Sequence, residues 1–257
     1  MTCAVVMATY NGEKYVKEQL NSILNQTRKP DSIIVTDDNS TDNTVKICKE
    51  ILEASKINYK ILVHEKKQYV TNNFFDGIRQ NECDIIFFSD QDDVWSNNKI
   101  ESIMKIFENN PLCMVVLCDA YVWNGEKIGN KTLLELWGDK YPYYDLDGLI
   151  DKNALWEVLI DKNIATGMSM AIKKEISMYQ KKDLLMFHDS WYCLVGAAMG
   201  NIYLINKPLA YYRQHENNVE GVIHKPSLKK IKESVIKVDQ SIQKSKERND
   251  IITFLDT

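Results

Sequence analysis

From Cys3 to Phe88 the chain repeats one pattern: a short apolar run, a polar turn, then apolar positions at helical spacing. Cys3 to Ala8 predicts a buried strand ending in the polar turn Thr9-Tyr10-Asn11-Gly12. Tyr15, Val16, Leu20, Ile23 and Leu24 fall on one helix face, with Pro30 beyond them as a stop. Ser32 to Thr36 predicts a second strand, followed by Asp37-Asp38-Asn39-Ser40-Thr41-Asp42. There Ser40 or Thr41 is expected to cap a helix carrying Val45, Ile47, Cys48, Ile51 and Leu52, with Asp42 near its positive end. Tyr59 to Val63 reads as a third strand and Val70 to Gln80 as a helix. Ile85 to Phe88, four β-formers in a run too short for a helix, predicts a fourth strand buried on both faces of a parallel sheet.

Strands alternating with helices argue for βαβ units and an α/β fold with a mostly parallel, doubly wound sheet. The turns after strands one, two and four then gather on one edge, where open α/β sheets bind ligands. Ser89-Asp90-Gln91-Asp92-Asp93-Val94-Trp95 stands out there. Alternation along an extended chain sends Asp90 and Asp92 to one side and Asp93 to the other. Carboxylates crowded this way repel, and a hard divalent cation with oxygen ligands is the usual reason to keep them together. The plain alternative is a solvated acidic loop capping a helix that begins near Asn97.

The apolar content of 44% suffices for one large α/β domain. A formal charge of −4, spread along the chain, gives no basic footprint for nucleic acid. Cys3, Cys48, Cys83, Cys113, Cys118 and Cys193 sit mostly in apolar patterns without zinc spacing, as core residues of a reducing cytoplasm do. The chain starts directly in a strand, and no apolar run approaches the roughly 20 residues of a membrane span, so a cytoplasmic location is expected, at most peripheral to the membrane. Neither GxGxxG nor GxxxxGK[ST] occurs, which argues against a Rossmann dehydrogenase or a P-loop ATPase.

Ala8-Thr9-Tyr10-Asn11-Gly12, Thr36 to Asp42 and Ser89 to Trp95, in this order and spacing, resemble family 2 glycosyltransferases of the GT-A fold. Phe187-His188-Asp189-Ser190-Trp191 and Tyr211 to Val219 resemble the rhamnosyltransferase-like branch of that family. The resemblance runs from about Cys3 to Gly221. It implies an inverting, metal-dependent transfer of a sugar, rhamnose from dTDP-rhamnose first and UDP-hexoses next, to a glycan or lipid-linked acceptor in cell-surface polysaccharide synthesis. It further implies that Thr9, Tyr10 and Asp38 surround the base, that Asn11 belongs to the nucleotide-sugar site, that Asp90 holds the ribose, and that Asn73, in the turn Thr71 to Phe74, lies near the donor. Asp92 or Asp93 would ligate Mn²⁺ or Mg²⁺, with His215 a further metal ligand or a phosphate donor; packing within its loop is the plain alternative for His215. Arg213 would pair with the diphosphate, using its forked donors. On the acceptor side the resemblance places Gly167, His188 and Trp191, with Asp189 as the base that activates the acceptor hydroxyl. Asp189 follows the apolar run from Leu184 to Phe187 and is expected to begin an amphipathic helix; capping that helix is its plain alternative.

Residues 1–222 are thus expected to form the GT-A domain, with 1–118 its nucleotide-sugar half and 119–222 its acceptor and catalytic half. Trp123, Trp137, Tyr141, Tyr143, Tyr144 and Trp156 offer rings on which a sugar could stack. From Lys225 to Arg248 basic residues predominate, and Leu228, Ile231, Val235, Val238 and Ile242 recur at three-to-four spacing. This predicts a basic amphipathic helical extension over 223–257. It has three open destinations: an anionic membrane surface, a second copy of the chain as in a homodimer, or its own domain. Two other functional classes stay open at this point, a nucleotidyltransferase and a non-catalytic nucleotide-sugar-binding module.

Overall fold

A computed structural model describes residues 1–137, 147–150, 165–180 and 187–216. The strands are β1 (Cys3–Thr9), β2 (Ser32–Asp37), β3 (Asn58–Val63), β4 (Ile85–Asp90), β5 (Val94–Trp95), β6 (Cys113–Trp123), β7 (Ile128–Thr132), β8 (Gly148–Leu149), β9 (Met170–Lys173) and β10 (Asn201–Arg213). The helices are α1 (Val16–Leu24), α2 (Thr44–Ala54), α3 (Tyr69–Arg79), α4 (Lys99–Asn109), α5 (Leu133–Trp137), α6 (Lys174–Ser177) and α7 (His188–Met199). The described strands form one sheet in the order β3-β2-β1-β4-β9-β6-β10-β5, with β7 beside β6 and β8 beside β10.

The first four strands pair in parallel, as the alternating pattern requires. The sheet as a whole is mixed, because β9 lies antiparallel between β4 and β6, and β5, β7 and β8 are antiparallel to their partners. That reversal positions the site. Phe87 of β4 faces Ala171 of β9, so the start of β9, rather than its end, lies beside the C-terminal end of β4. The 3₁₀ turn Gly167–Ser169 is thereby delivered next to Asp90. The boundary expected at 118/119 falls inside β6.

Period-two alternation divides the core between the two faces of the sheet. Val6, Ile34, Ile86 and Phe88 pack with Phe74, Phe75 and Ile78 of α3 and with Tyr192 and Leu194 of α7. Val5, Met7, Ile33, Val35 and Phe87 pack with Leu20 of α1, Cys48 of α2, and Ile100 and Phe107 of α4. The expected amphipathic character of α7 is not found. His188 through Ala197 are all buried, because the helix lies over β6, β9 and β10 while also touching α3 and α6. A helix covered on every side has no solvated face for polar residues to occupy.

The basic extension, together with Tyr141, Tyr143, Tyr144 and Trp156, lies outside the described residues. All six cysteines are free thiols, and only Cys83 is partly exposed.

Candidate active site

The parallel register brings the ends of three strands level: Ala8 pairs with Asp90, and Thr9 with Asp37. Side chains then join the turns. The Thr9 hydroxyl donates to Asp37 Oδ2 at 2.7 Å, and Ser40 donates to both Asp37 oxygens, from its N–H at 2.7 Å and its hydroxyl at 2.6 Å. Asn11 adopts a left-handed φ of 47°, which asparagine tolerates well. Its N–H donates to Ser40 Oγ at 2.8 Å, while its Oδ1 accepts the Thr41 N–H at 2.9 Å. Ser40 and Thr41 are therefore occupied within the turn and do not cap α2. That helix begins later, at Thr44, whose N–H and hydroxyl both donate to Asp42 Oδ1.

Asp38 is buried and accepts the N–H groups of Gln68 and Tyr69 at the start of α3. Two such bonds still leave a carboxylate lone pairs for a ligand. Asn73, expected in a turn, lies inside α3. It is buried, its Nδ2 donates to Thr36 C=O at 2.9 Å, and its Oδ1 has no partner among the described residues. The Tyr10 ring stands 41% exposed at the mouth of this edge, with Lys67 Nζ 3.8 Å from its centroid.

Beyond β4 the acids come together. Burial first, then the charges of Asp92 and Asp189, push the Asp90 carboxyl up to about 7. Asp189 is buried in the first turn of α7, and its Oδ1 accepts the Ser190 N–H at 2.6 Å; the capping position itself belongs to Phe187. Asp92 Oδ2 lies 2.8 Å from His215 Nε2, and the His215 ring stacks on Tyr15 at 4.8 Å. Asp93 turns inward. It is fully buried, with Oδ1 accepting the Arg213 N–H at 3.0 Å and Oδ2 unpartnered among the described residues, and burial followed by the Asp92 charge raises its pKa well above the carboxylate range. Of the two adjacent acids, Asp92 is the one that faces a histidine. Among the described residues no three His, Cys, Asp or Glu side chains converge as a metal cage.

The expected diphosphate partner, Arg213, is already engaged. Its Nε donates to Asp92 C=O at 2.7 Å and its Nη2 to Glu18 Oε2 at 2.5 Å, while the guanidinium packs over Trp123 at 4.0 Å and Tyr15 at 5.0 Å. Planar stacking and a forked donor set make arginine a good clamp between α1 and the acidic loop. That clamp leaves little of the guanidinium to face a ligand.

On the other flank, Gly167 provides close approach. A Cβ there would lie 2.5 Å from His188 Nε2 and 3.8 Å from Asp90 Oδ2. His188 packs on Phe74 at 4.0 Å and Phe88 at 5.1 Å, and among the described residues neither ring nitrogen has a hydrogen-bond partner. Burial pushes its pKa down to about 3, so the imidazole is neutral. Trp191 belongs to the core: it is buried, and its Nε1 donates to Tyr179 C=O at 2.5 Å.

Two buried or bonded positions at this edge receive no role from the motifs. Lys99, fully buried at the first position of α4, donates from Nζ to Met168 C=O and lies 3.9 Å over the Trp95 ring. Burial lowers its pKa to about 8 against the opposing pull of Asp93 and Asp90. A signal existed, because Lys99 falls on the apolar stripe with Ile100, Ile103, Met104 and Phe107, where a lysine is out of place. Gln91 is the other such position.

The chain belongs to glycosyl transferase family 2, whose model matches residues 4–173. It is therefore a glycosyltransferase. It is 32% identical over 238 residues to the dTDP-rhamnosyl transferase RfbG of Shigella flexneri, covering 84% of this chain and 73% of that protein. Over 108 residues it is 31% identical to the UDP-Glc:alpha-D-GlcNAc-diphosphoundecaprenol beta-1,3-glucosyltransferase WfgD of Escherichia coli, 42% of each protein. Its fold is GT-A-like, similar to that of S. aureus TarS 1-349 in complex with UDP-GlcNAc. That match has a TM-score of 0.66 at 18% identity and covers 85% of this chain and 60% of the other. A similar match, with TM-score 0.60 and 17% identity, is to the mannosyltransferase PcManGT from Pyrobaculum calidifontis in complex with GDP-Man and Mn2+, covering 84% of this chain and 58% of that one. No helix among the described residues is long and apolar enough to cross a membrane.

Proposed function

We propose that this chain is an inverting glycosyltransferase that moves a sugar from a dTDP- or UDP-linked donor to a hydroxyl of a glycan or lipid-linked acceptor, in the building of a cell-surface polysaccharide. Rhamnose from dTDP-rhamnose is the proposed donor, supported by the similarity to RfbG over most of both chains. The observation that carries the reading is the edge built at the end of β4, where Asp90 lies across Gly167 from His188, the neighbour of Asp189 in α7, and the next acid, Asp92, meets His215.

In this reading Tyr10, Asn11 and Asp38 receive the base and Asp90 the ribose, with Thr9 holding its turn through Asp37. The acceptor hydroxyl gives its proton to Asp189 as its oxygen bonds to the anomeric carbon. On the opposite side the bond from that carbon to the diphosphate breaks, and nucleoside diphosphate leaves. Attack from the face opposite the leaving group inverts the anomeric configuration. A positioned base of this kind is worth about 10²–10⁴-fold in rate.

Asp92 and His215 fit a divalent cation as two adjoining ligands, the protein's share when phosphate oxygens and water complete the shell. Such a cation, when bound, neutralises the charge that builds on the departing diphosphate. Asp93 does not fit this role, since it faces inward onto the Arg213 backbone. His188, neutral and buried beside Gly167, fits a sugar hydroxyl better than a charged group.

The test is Asp189→Asn with dTDP-rhamnose and UDP-hexoses as donors. Donor affinity by calorimetry should remain within about threefold of the parent while transfer falls by about 10²–10⁴-fold. Transfer above a tenth of the parent rate would remove Asp189 from the reaction.

A further inference from the structure

Gln91 stands between Asp90 and Asp92, yet its side chain turns to another strand. Its Oε1 accepts the Tyr10 N–H at 2.9 Å, and its Nε2 donates to the Tyr10 C=O at 2.9 Å. β1 has ended at Thr9 and β4 at Asp90. The amide thus continues the pairing of these two strands one step past the sheet, with a side chain in place of a backbone. Only a group with both a donor and an acceptor at this spacing satisfies both atoms of Tyr10.

Gly12 makes room for that amide. A Cβ at position 12 would stand 2.1 Å from Gln91 Oε1 and 2.4 Å from its Cδ, so any larger residue must push the glutamine off Tyr10. Two positions far apart in sequence, Gly12 and Gln91, therefore serve one contact. On its far side Tyr10 carries a half-open aromatic face, and on its near side Gln91 is bonded directly to Asp90 and Asp92 along the chain.

We infer that Gln91 is a positioning residue that fixes the turn bearing Tyr10 at a set distance from Asp90 and Asp92, so that one donor nucleotide is gripped at its base and at its diphosphate together. The inference rests on the donor-binding reading of this edge. It assigns a function to the residue between the acids and explains why position 12 is glycine. Glutamate at 91 keeps the acceptor but sets a second oxygen against the Tyr10 carbonyl, and alanine supplies neither group.

The variants are Gln91→Ala, Gln91→Glu, Gly12→Ala and the double variant Gly12→Ala/Gln91→Ala. The full chain is measured by calorimetry with UDP and dTDP in Mg²⁺, by donor KM and kcat, and by hydrogen exchange at the Tyr10 amide. Each single variant should weaken nucleotide binding and raise donor KM about tenfold, with kcat changed less than about threefold. Tyr10 exchange should quicken in Gln91→Ala. Because both positions act through one contact, the double variant should bind no more weakly than the weaker single variant. Gln91→Ala with parental nucleotide affinity, losses that sum in the double variant, or a fall confined to kcat would each overturn the inference. Should Gly12→Ala fail to fold, the two Gln91 variants decide alone. Parent protein that binds neither nucleotide refutes the donor reading and the inference with it, whereas parent that binds while Gln91→Ala binds equally refutes the inference only.

Discussion

Replacing Asp90 with asparagine should make the ligand-free protein more stable while disabling it. The folded chain holds Asp90 at about 7, against an ordinary value of 3.8. A carboxyl raised on folding binds its proton more tightly in the native state, so its unfavourable contribution grows as pH rises from about 4 and is fully present above 7. Each unit is worth 1.36 kcal/mol, which sets a ceiling of about 4 kcal/mol at pH 8 and less than half of that at pH 5. Asp90 is half-buried, and solvent screening reduces the gain expected from asparagine to about 1–2 kcal/mol at pH 8. For a chain of this size that is a rise in Tm of roughly 2–8 °C. The assay is thermal unfolding of parent and Asp90→Asn in EDTA at pH 5 and pH 8, repeated with Mg²⁺ and UDP. The variant should gain most at pH 8 without ligand and lose that advantage when the ligands stabilise only the parent. An equal or lower Tm for the variant at pH 8 in EDTA would show that burial and the neighbouring acids do not disfavour the Asp90 charge.

Two further outcomes follow from the same cluster. His215→Ala should raise the Mn²⁺ or Mg²⁺ concentration needed for half-maximal transfer by about tenfold or more, and an unchanged metal titration would exclude His215 as a ligand. Lys99→Met removes an ammonium whose pKa burial holds down to about 8, so the cost of burying its charge is fully present below that pH and fades as pH rises above it. Relative to the parent, the variant's Tm should therefore be more favourable at pH 6 than at pH 9.5; an equal change at the two pH values would reduce Lys99 to simple packing.

The order of strands and helices up to Phe88 was readable because period-two runs and helical spacing alternate there without ambiguity. Lysine on the apolar stripe of α4 was legible by the same spacing, whereas the inward turn of Asp93 was not, since it depends on what packs above a loop rather than on spacing along it. The antiparallel entry of β9 was hidden for a related reason: Met170 to Lys173 is a four-residue strand whose direction is set by its neighbours. The all-round burial of α7 likewise required knowing that β6, β9, β10, α3 and α6 surround it. Arg213 carried the right charge in the right segment, but its guanidinium was claimed by Glu18, Asp92, Trp123 and Tyr15, partners scattered over the sequence.

The interleaving of β9 between β4 and β6 limits how this enzyme can be re-engineered. A protein made of separable donor and acceptor modules could be cut between them and recombined with a relative. Here a cut at 118/119 would sever a strand in mid-length, and a fragment ending there would lack β9 and expose the flank of β4, an invitation to aggregation. Productive chimeras must exchange β6, β9 and β10 as one block or leave all three alone.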